Sequence, residues 1–174
     1  MQWWGRFAAW FNGKAKIVAT SPEARLYMDA SGVGYGTHYG SDWVSAGWRC
    51  QLSMNIDHHN HCLPPPAVFV PENINVQELY PILVSIKRWG HKWRDKKVIC
   101  YSDNTHVISA INKGKSVNVQ AMNFIRQLFW LTALFNCHIV AVHIPGRHNI
   151  IADALSRVII PPHNLPLFLC CSGG

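Results

Sequence analysis

The stretch LYMDASGVGYG, residues 26–36, decides how the chain begins to fold. Together with the preceding arginine, its first part predicts a strand over residues 25–30. The segment Ser31-Gly32-Val33-Gly34 that follows is typical of a turn, because serine and glycine favour the backbone angles that turns require. Two more short strands, over residues 34–40 and 43–49, continue the chain. The sequence thus predicts an antiparallel meander of three strands.

Helices and strands alternate after this meander. Residues 76–93 show helical spacing, with one face formed by Leu79, Leu83, Ile86 and either Trp89 or Gly90. Pro81 is compatible with a helix that begins near Glu78, whereas it would kink a helix that begins earlier. The remaining predicted elements are a strand, two helices, a strand and a helix, at 96–103, 104–112, 117–136, 138–144 and 150–157. A meander followed by alternating strands and helices predicts an α/β fold with a mixed sheet.

Bulk composition indicates one globular domain. The chain has 174 residues, and 49% of them are apolar, which is enough for a hydrophobic core. The net charge of +7 is compatible with a polyanionic partner, although many basic domains bind no nucleic acid. No apolar run is long enough to span a bilayer, and the aromatic start does not resemble a signal peptide. We therefore expect a cytoplasmic or nuclear protein with no membrane partner and no small-molecule cofactor.

Acidic residues lie at the ends of the predicted core elements. Only nine are present, and four of them occupy such ends: Asp29, Glu78, Asp103 and Asp153. Ends of strands and starts of helices meet at one edge of an α/β sheet. Two unit charges about 4 Å apart repel by about 4 kcal/mol at an effective dielectric constant of about 20, so bound cations are needed to gather four carboxylates. Each acid taken singly is also compatible with a helix cap or a surface charge, but the full pattern predicts a site for two Mg²⁺ ions.

Four segments together resemble the ribonuclease H domain that follows the reverse transcriptase of retrotransposons. They are LYMDASGVGYG, INVQELYPIL, VICYSDNTHVISAINKG and AVHIPGRHNIIADALSR, at 26–36, 74–83, 98–114 and 141–157. The likeness is greatest to DIRS-type elements and next to gypsy-type elements. It implies a ribonuclease H-like domain over 21–158, with a mixed five-stranded sheet of three antiparallel and two parallel strands flanked by helices. Within this domain, residues 53–72 are expected to form a long variable loop. Residues 1–20 resemble a remnant of the polymerase connection, and residues 159–174, which show no periodicity, are expected to form a peripheral tail.

The resemblance also implies the catalytic machinery. The family's catalytic and metal-binding acids correspond to Asp29, Glu78, Asp103 and Asp153, which would hold two Mg²⁺ ions, with Mn²⁺ as an alternative. The family's loop histidine corresponds to His143, and Asn149 falls six residues later, as the pattern HxxxxxNxxxD requires. A histidine with an ordinary pKa near 6.5 is suited to proton transfer. His148 is the rival candidate for this role.

An RNA–DNA hybrid is the partner that the family implies. Such hybrids are recognised by shape, phosphates and 2′-hydroxyl groups in the minor groove. Residues beside the predicted acids are candidates for this contact, although ordinary turn and cap roles explain them equally well: Ser31, Gly32, Asn75, Asn104 and Asn149. The basic segment 87–97 is a candidate for gripping the DNA phosphates, and its proposed contacts are Lys87, Arg88, Lys92, Trp93 and Arg94. In the alternative interpretation this segment is a solvated helix end whose tryptophans lie in the core.

Some features do not fit a complete retroelement polymerase. No reverse transcriptase core is evident, so such a core would be supplied elsewhere. The cluster His58–Cys62 invites a zinc interpretation, but no second ligand pair is evident, and a variable loop explains it better. The six cysteines follow no regular spacing, which favours reduced thiols.

The resemblance to ribonuclease H, together with the pattern of acidic residues, predicts an endonuclease that cleaves the RNA strand of RNA–DNA hybrids. The alternatives are an inactive nucleic-acid-binding remnant and a DNA-directed nuclease of the same superfamily.

Overall fold

The computed structural model describes residues 23–48 and 73–158. The predicted connection remnant (1–20), variable loop (53–72) and tail (159–174) lie outside these described residues. The same is true of the His58–Cys62 cluster.

The described part of the chain contains strands and helices in the predicted order. Its elements are β1 (Glu23–Ala30), β2 (Gly34–Tyr39), β3 (Asp42–Gly47), α1 (Ile74–Gln77), α2 (Tyr80–Trp89), β4 (Lys97–Ser102), α3 (Thr105–Lys113), α4 (Val119–Phe135), β5 (His138–His143) and α5 (Ile150–Arg157). Two short 3-10 helices lie at Gly90–Trp93 and Gly146–His148. None of the helices in these ranges is long and apolar enough to cross a membrane.

The five strands form one mixed sheet in the order β3-β2-β1-β4-β5. β1 pairs antiparallel with β2, and β2 pairs antiparallel with β3. β1 also pairs parallel with β4, which pairs parallel with β5. The predicted meander of three strands plus two parallel strands, flanked by helices, is therefore confirmed.

Helices pack on both faces of this sheet. Neighbouring residues of a strand point to opposite faces, as Gly36 and Thr37 of β2 do. Thr37 lies 2.9 Å from Ser85 of α2, on the face where the main core is packed. Gly36 lies against Leu155 of α5 on the other face. A Cβ at position 36 would overlap Leu155 Cβ, so this glycine lets α5 sit directly on the sheet.

The helix predicted over 76–93 is broken into three parts. α1 ends at Gln77, α2 begins at Tyr80, and a 3-10 helix continues from Gly90. Pro81 lies in the first turn of α2, where its missing N–H leaves no helical hydrogen bond unmade. The predicted apolar face is nevertheless confirmed, because Leu79, Leu83, Ile86 and Trp89 are all buried. The break leaves Glu78 at the junction between α1 and α2.

Candidate metal centre

Three acids meet at the carboxyl-terminal edge of the parallel strands. Asp29 is the next-to-last residue of β1, and Asp103 directly follows β4. Because these strands are parallel neighbours, their ends lie side by side. The junction between α1 and α2 adds Glu78. Each of the three acids offers a carboxylate oxygen, and these oxygens lie within 4.8 Å of one another.

The trio is buried unevenly, and this sets its electrostatics. Asp29 and Glu78 are each 6% exposed, whereas Asp103 is exposed. Burial, with smaller contributions from Asp29 and Asp103, raises the pKa of Glu78 to about 8. Burial also raises the pKa of Asp29; a hydrogen bond from Ser156 opposes this effect, and the charges of Asp103 and Asp153 add to it. Without a cation, the trio therefore retains a proton that exposed carboxylates would lose.

The donor set fits a hard divalent cation. Oε2 of Glu78 is buried and has no hydrogen-bond partner among the described residues. A buried polar atom without a partner is unfavourable, and a cation would satisfy this oxygen. Carboxylate oxygens are the ligands that Mg²⁺ and Mn²⁺ prefer.

The fourth predicted acid, Asp153, lies outside the trio. Its Oδ1 accepts hydrogen bonds from Nε of Arg157 at 2.8 Å and from Nη2 at 2.6 Å, across one turn of α5. The Asp153 side chain is 43% exposed. Its charge raises the pKa of Asp29, so it remains within electrostatic reach of the centre. The structure thus brings three of the four predicted acids together and leaves Asp153 paired beside them.

Two buried side chains, Ser156 and Asn149, form hydrogen bonds with β1 at or next to Asp29. Ser156, which the sequence analysis did not single out, donates a hydrogen bond to Asp29 Oδ2 at 2.7 Å. Asn149 donates from Nδ2 to the carbonyl of Met28 at 3.0 Å. Asn149 is 2% exposed and does not cap α5 with its side chain. This burial corrects the expectation that Asn149 contacts nucleic acid, because the side chain instead fastens the start of α5 to β1.

Both candidate histidines are exposed near Asp103. His143 ends β5 and pairs in register with Ser102, the residue before Asp103. His148 lies in the following 3-10 helix. Between them, a Cβ added at Gly146 would come within 3.0 Å of Asp103 Oδ2, so the loop backbone passes directly beside that carboxylate. The arrangement is compatible with either histidine.

The polar candidates for nucleic-acid contact lie around this edge. Asn104 donates from Nδ2 to Asn75 Oδ1 at 3.0 Å, while its own Oδ1 caps α3. Ser31 donates its hydroxyl hydrogen to the carbonyl of Ser156 at 2.7 Å, and Gly32 is exposed. A cleft of about 530 Å³ opens between α1, α3 and the start of α4. Its polar lining includes Asn73, Asn75, His106, Lys115 and Asn118.

The basic segment is only partly available to a ligand. Lys87 and Arg94 are exposed, and Lys92 forms an ion pair with Asp42 at 2.7 Å. Arg88 is half-buried and lies over the ring of Trp89 at 5.8 Å. Trp93 is 0% exposed and packs edge-on against Tyr39. This burial corrects the expectation for Trp93, whose ring belongs to the core and cannot touch a nucleic acid.

Comparison with known proteins identifies the fold. No model of a known protein family matches this chain, and no curated protein matches it. The N-terminal RNase H domain of Rv2228c from Mycobacterium tuberculosis is 14% identical, with a TM-score of 0.53 over 77% of this chain and 95% of that chain.

LC11-RNase H1, isolated from compost by a metagenomic approach, gives a TM-score of 0.52 at 17% identity over 78% of this chain and 93% of that chain. The same enzyme in complex with an RNA/DNA hybrid gives a TM-score of 0.55 at 18% identity, over 76% of this chain and 92% of that chain. At these identities the likeness concerns the fold, and this chain has the ribonuclease H-like fold.

Proposed function

We propose that this chain is a metal-dependent endonuclease that hydrolyses the RNA strand of RNA–DNA hybrids. One observation carries the proposal: Asp29, Glu78 and Asp103 converge within 4.8 Å although two of them are buried. Such a cluster is unfavourable unless cations occupy it. We also propose that the domain derives from a retroelement polymerase of the DIRS or gypsy type, because four of its sequence segments resemble that family.

The chain's own residues hold and orient the reacting groups. Asp29, Glu78 and Asp103 would ligate the divalent cations, and Asp153 would join them once it separates from Arg157. When bound, a pair of Mg²⁺ ions supplies an activated water and neutralises the leaving oxygen of the phosphodiester. The exposed side of Asp103 leaves the centre open to a phosphate from solvent. His143, or its rival His148, would exchange a proton at the edge of the centre.

The hybrid would lie across the same edge of the sheet. Asn75 lines the cleft and accepts a hydrogen bond from Asn104, and we propose that these linked amides hydrogen-bond to groups in the minor groove. Exposed backbone at Gly32 allows close approach of the RNA strand. Lys87 and Arg94 are exposed cations toward the opposite end of the sheet, so they would contact phosphates of the DNA strand where the hybrid extends beyond the metal centre.

A second candidate is an inactive nucleic-acid-binding module of the same fold. The pairing of Asp153 with Arg157 favours it, because Oδ1 of Asp153 must be released by the guanidinium before it can bind a cation. Both candidates would bind the RNA–DNA hybrid, but only the endonuclease would cleave its RNA strand. A reverse transcriptase core supplied by another chain would be a partner in either case.

The test compares labelled RNA–DNA hybrid, duplex DNA and duplex RNA, each incubated with the protein in Mg²⁺. We expect cleavage of the RNA strand of the hybrid alone, giving 5′-phosphate and 3′-hydroxyl ends. The variant Asp103→Asn keeps the shape of the side chain and removes a ligand charge. We expect it to lower the cleavage rate by at least about 100-fold and to leave hybrid binding within a few-fold.

Asp42→Asn is the matched control, since Asp42 is a half-exposed aspartate at the opposite end of the sheet, paired with Lys92. It should cleave at the rate of the unmodified protein. Equal cleavage by Asp103→Asn and Asp42→Asn would remove the assignment. Tight hybrid binding without any Mg²⁺-dependent cleavage would favour the inactive module.

A further inference from the structure

We propose that Ser156 is a positioning residue of the metal centre, holding the Asp29 carboxylate in the orientation in which it shares a cation with Glu78 and Asp103. This inference rests on the proposed function and adds to it a side chain from α5. Ser156 lies 127 positions from Asp29 in the sequence. The contact between them exists only because α5 packs on the sheet beside the carboxyl end of β1.

The hydrogen bond to Asp29 is short and shielded from water. Ser156 Oγ donates to Asp29 Oδ2 at 2.7 Å, and the two residues are 1% and 6% exposed. A hydrogen bond to an ionised acceptor is stronger than a neutral one, and water cannot replace this donor at a buried position. Because a carboxylate is planar, fixing Oδ2 also fixes the direction of Oδ1. The bond therefore restricts how Asp29 can present an oxygen to a cation.

Ser156 is itself held in place from the strand side. The hydroxyl of Ser31, two residues after Asp29, donates to the backbone carbonyl of Ser156 at 2.7 Å. Ser156 Oγ also lies 2.8 Å from the carbonyl of Asp153 in its own helix. The hydroxyl has one hydrogen, and an ionised carboxylate is a better acceptor for it than a peptide carbonyl. The geometry thus directs the Ser156 hydrogen to Asp29.

Other contacts already hold α5 on the sheet. Ser45 donates its hydroxyl hydrogen to the carbonyl of Leu155 at 2.6 Å and lies 3.2 Å from that of Val158. Asn149 fastens the beginning of the helix to Met28. Removing the Ser156 hydroxyl should therefore leave α5 docked and change mainly the carboxylate of Asp29. Ser45 is the matched control, because it is a buried serine that holds the same helix through the backbone carbonyls of Leu155 and Val158.

The first test measures Mn²⁺ affinity by calorimetry on the full chain. Side chains that orient metal ligands typically change metal affinity by about 10- to 100-fold when removed. We expect that loss for Ser156→Ala and a change of no more than about twofold for Ser45→Ala. Thermal unfolding in EDTA should show that Ser156→Ala loses no more stability than Ser45→Ala. The proposal would be overturned if Ser156→Ala and Ser45→Ala bound Mn²⁺ equally tightly, or if Ser156→Ala lost much more stability than Ser45→Ala.

A second pair of variants separates the hydroxyl from the shape of the side chain. Ser156→Thr and Ser156→Val have the same shape, and only threonine can donate to Asp29. We expect the Ser156→Thr protein to bind Mn²⁺ at least about tenfold more tightly than the Ser156→Val protein. Equal affinities of these two variants would contradict a role for the hydroxyl. If the unmodified protein binds Mn²⁺ and does not cleave hybrid, the proposed function fails while these affinities still decide the role of Ser156. Absence of Mn²⁺ binding by the unmodified protein would overturn both.

Discussion

Glu78 links the pH dependence of stability to the metal centre. Its pKa rises from an ordinary value of 4.5 to about 8, first because it is buried and then because Asp29 and Asp103 lie nearby. Between these two values the folded state keeps a proton that the unfolded chain has released. Stability from this group is therefore fully present below about pH 4.5 and is lost as the pH rises through about 8. The raised pKa of Asp29 acts in the same direction.

We expect the metal-free protein to lose thermal stability between about pH 5 and pH 8, and Glu78→Gln to flatten that slope. The measurement is the unfolding temperature in EDTA across this range, with Glu23→Gln as control. Glu23 is an exposed glutamate that lies 3.5 Å from Lys97 at the other end of β1. Added Mg²⁺ should stabilise the unmodified protein most at the upper end, because cation binding requires ionised ligands. Parallel slopes for Glu78→Gln and the unmodified protein would contradict this explanation.

At the scale of the elements, the close approach of α5 to β2 depends on Gly36. A Cβ at this position would overlap Leu155 Cβ and lie 2.6 Å from the carbonyl of Ala152. Both contacts belong to α5, which carries Asp153 and Ser156. An added methyl must therefore push the helix away from the sheet.

We expect Gly36→Ala to lower the free energy of unfolding by about 1–3 kcal/mol, the usual effect of overpacking. It should also weaken Mn²⁺ binding, since α5 would move relative to Asp29. Gly32→Ala is the control, because nothing lies within 4 Å of a Cβ added there. Chemical denaturation of the two variants measures the difference. A Gly36→Ala protein as stable as Gly32→Ala would show that α5 tolerates displacement.

Local sequence patterns predict the elements well, because periodicity and turn residues are local properties. The predicted strand over 25–30 corresponds to Glu23–Ala30, and the helix over 150–157 is Ile150–Arg157. The break at Glu78 was not predicted from apolar spacing, since Leu79 and Leu83 keep the same buried face across it. Proline at position 81 was the only local signal, and it placed the start of the helix near Glu78.

Contacts between distant segments are less visible in the sequence. Asn149 and Trp93 were predicted to face a ligand, but both are buried, because polarity and aromaticity do not reveal what packs above them. Asp29, Glu78 and Asp103 could be found from their positions at element ends. Ser156 could not, since its partner depends on the docking of α5 on β1. Its one local signal is a position one helical turn after Asp153.

The whole molecule carries a net positive charge, whereas its candidate metal centre is a cluster of acidic side chains. The chain carries sixteen lysines and arginines against nine acids, and its net charge is +7. The centre nevertheless gathers three acids at the edge where the hybrid would bind. Phosphates must therefore be attracted by cations elsewhere on the surface, and affinity should fall with salt as bound counterions are released. Arg94 and Lys92 offer a comparison, because both are exposed and only Lys92 has a carboxylate partner, Asp42, within the described residues.

We expect Arg94→Ala to reduce the slope of log affinity against log salt concentration by about 1, the effect of losing one phosphate contact. Lys92→Ala should change that slope less, since its ammonium is already neutralised by Asp42. Both would be measured in the Asp103→Asn background with Mg²⁺, so that the hybrid stays intact during titration. Equal slopes for the two variants would remove Arg94 from the proposed DNA contact. If the Asp103→Asn protein without a further substitution showed almost no dependence of log affinity on log salt concentration, the positive surface of the protein would not bind the phosphate backbone.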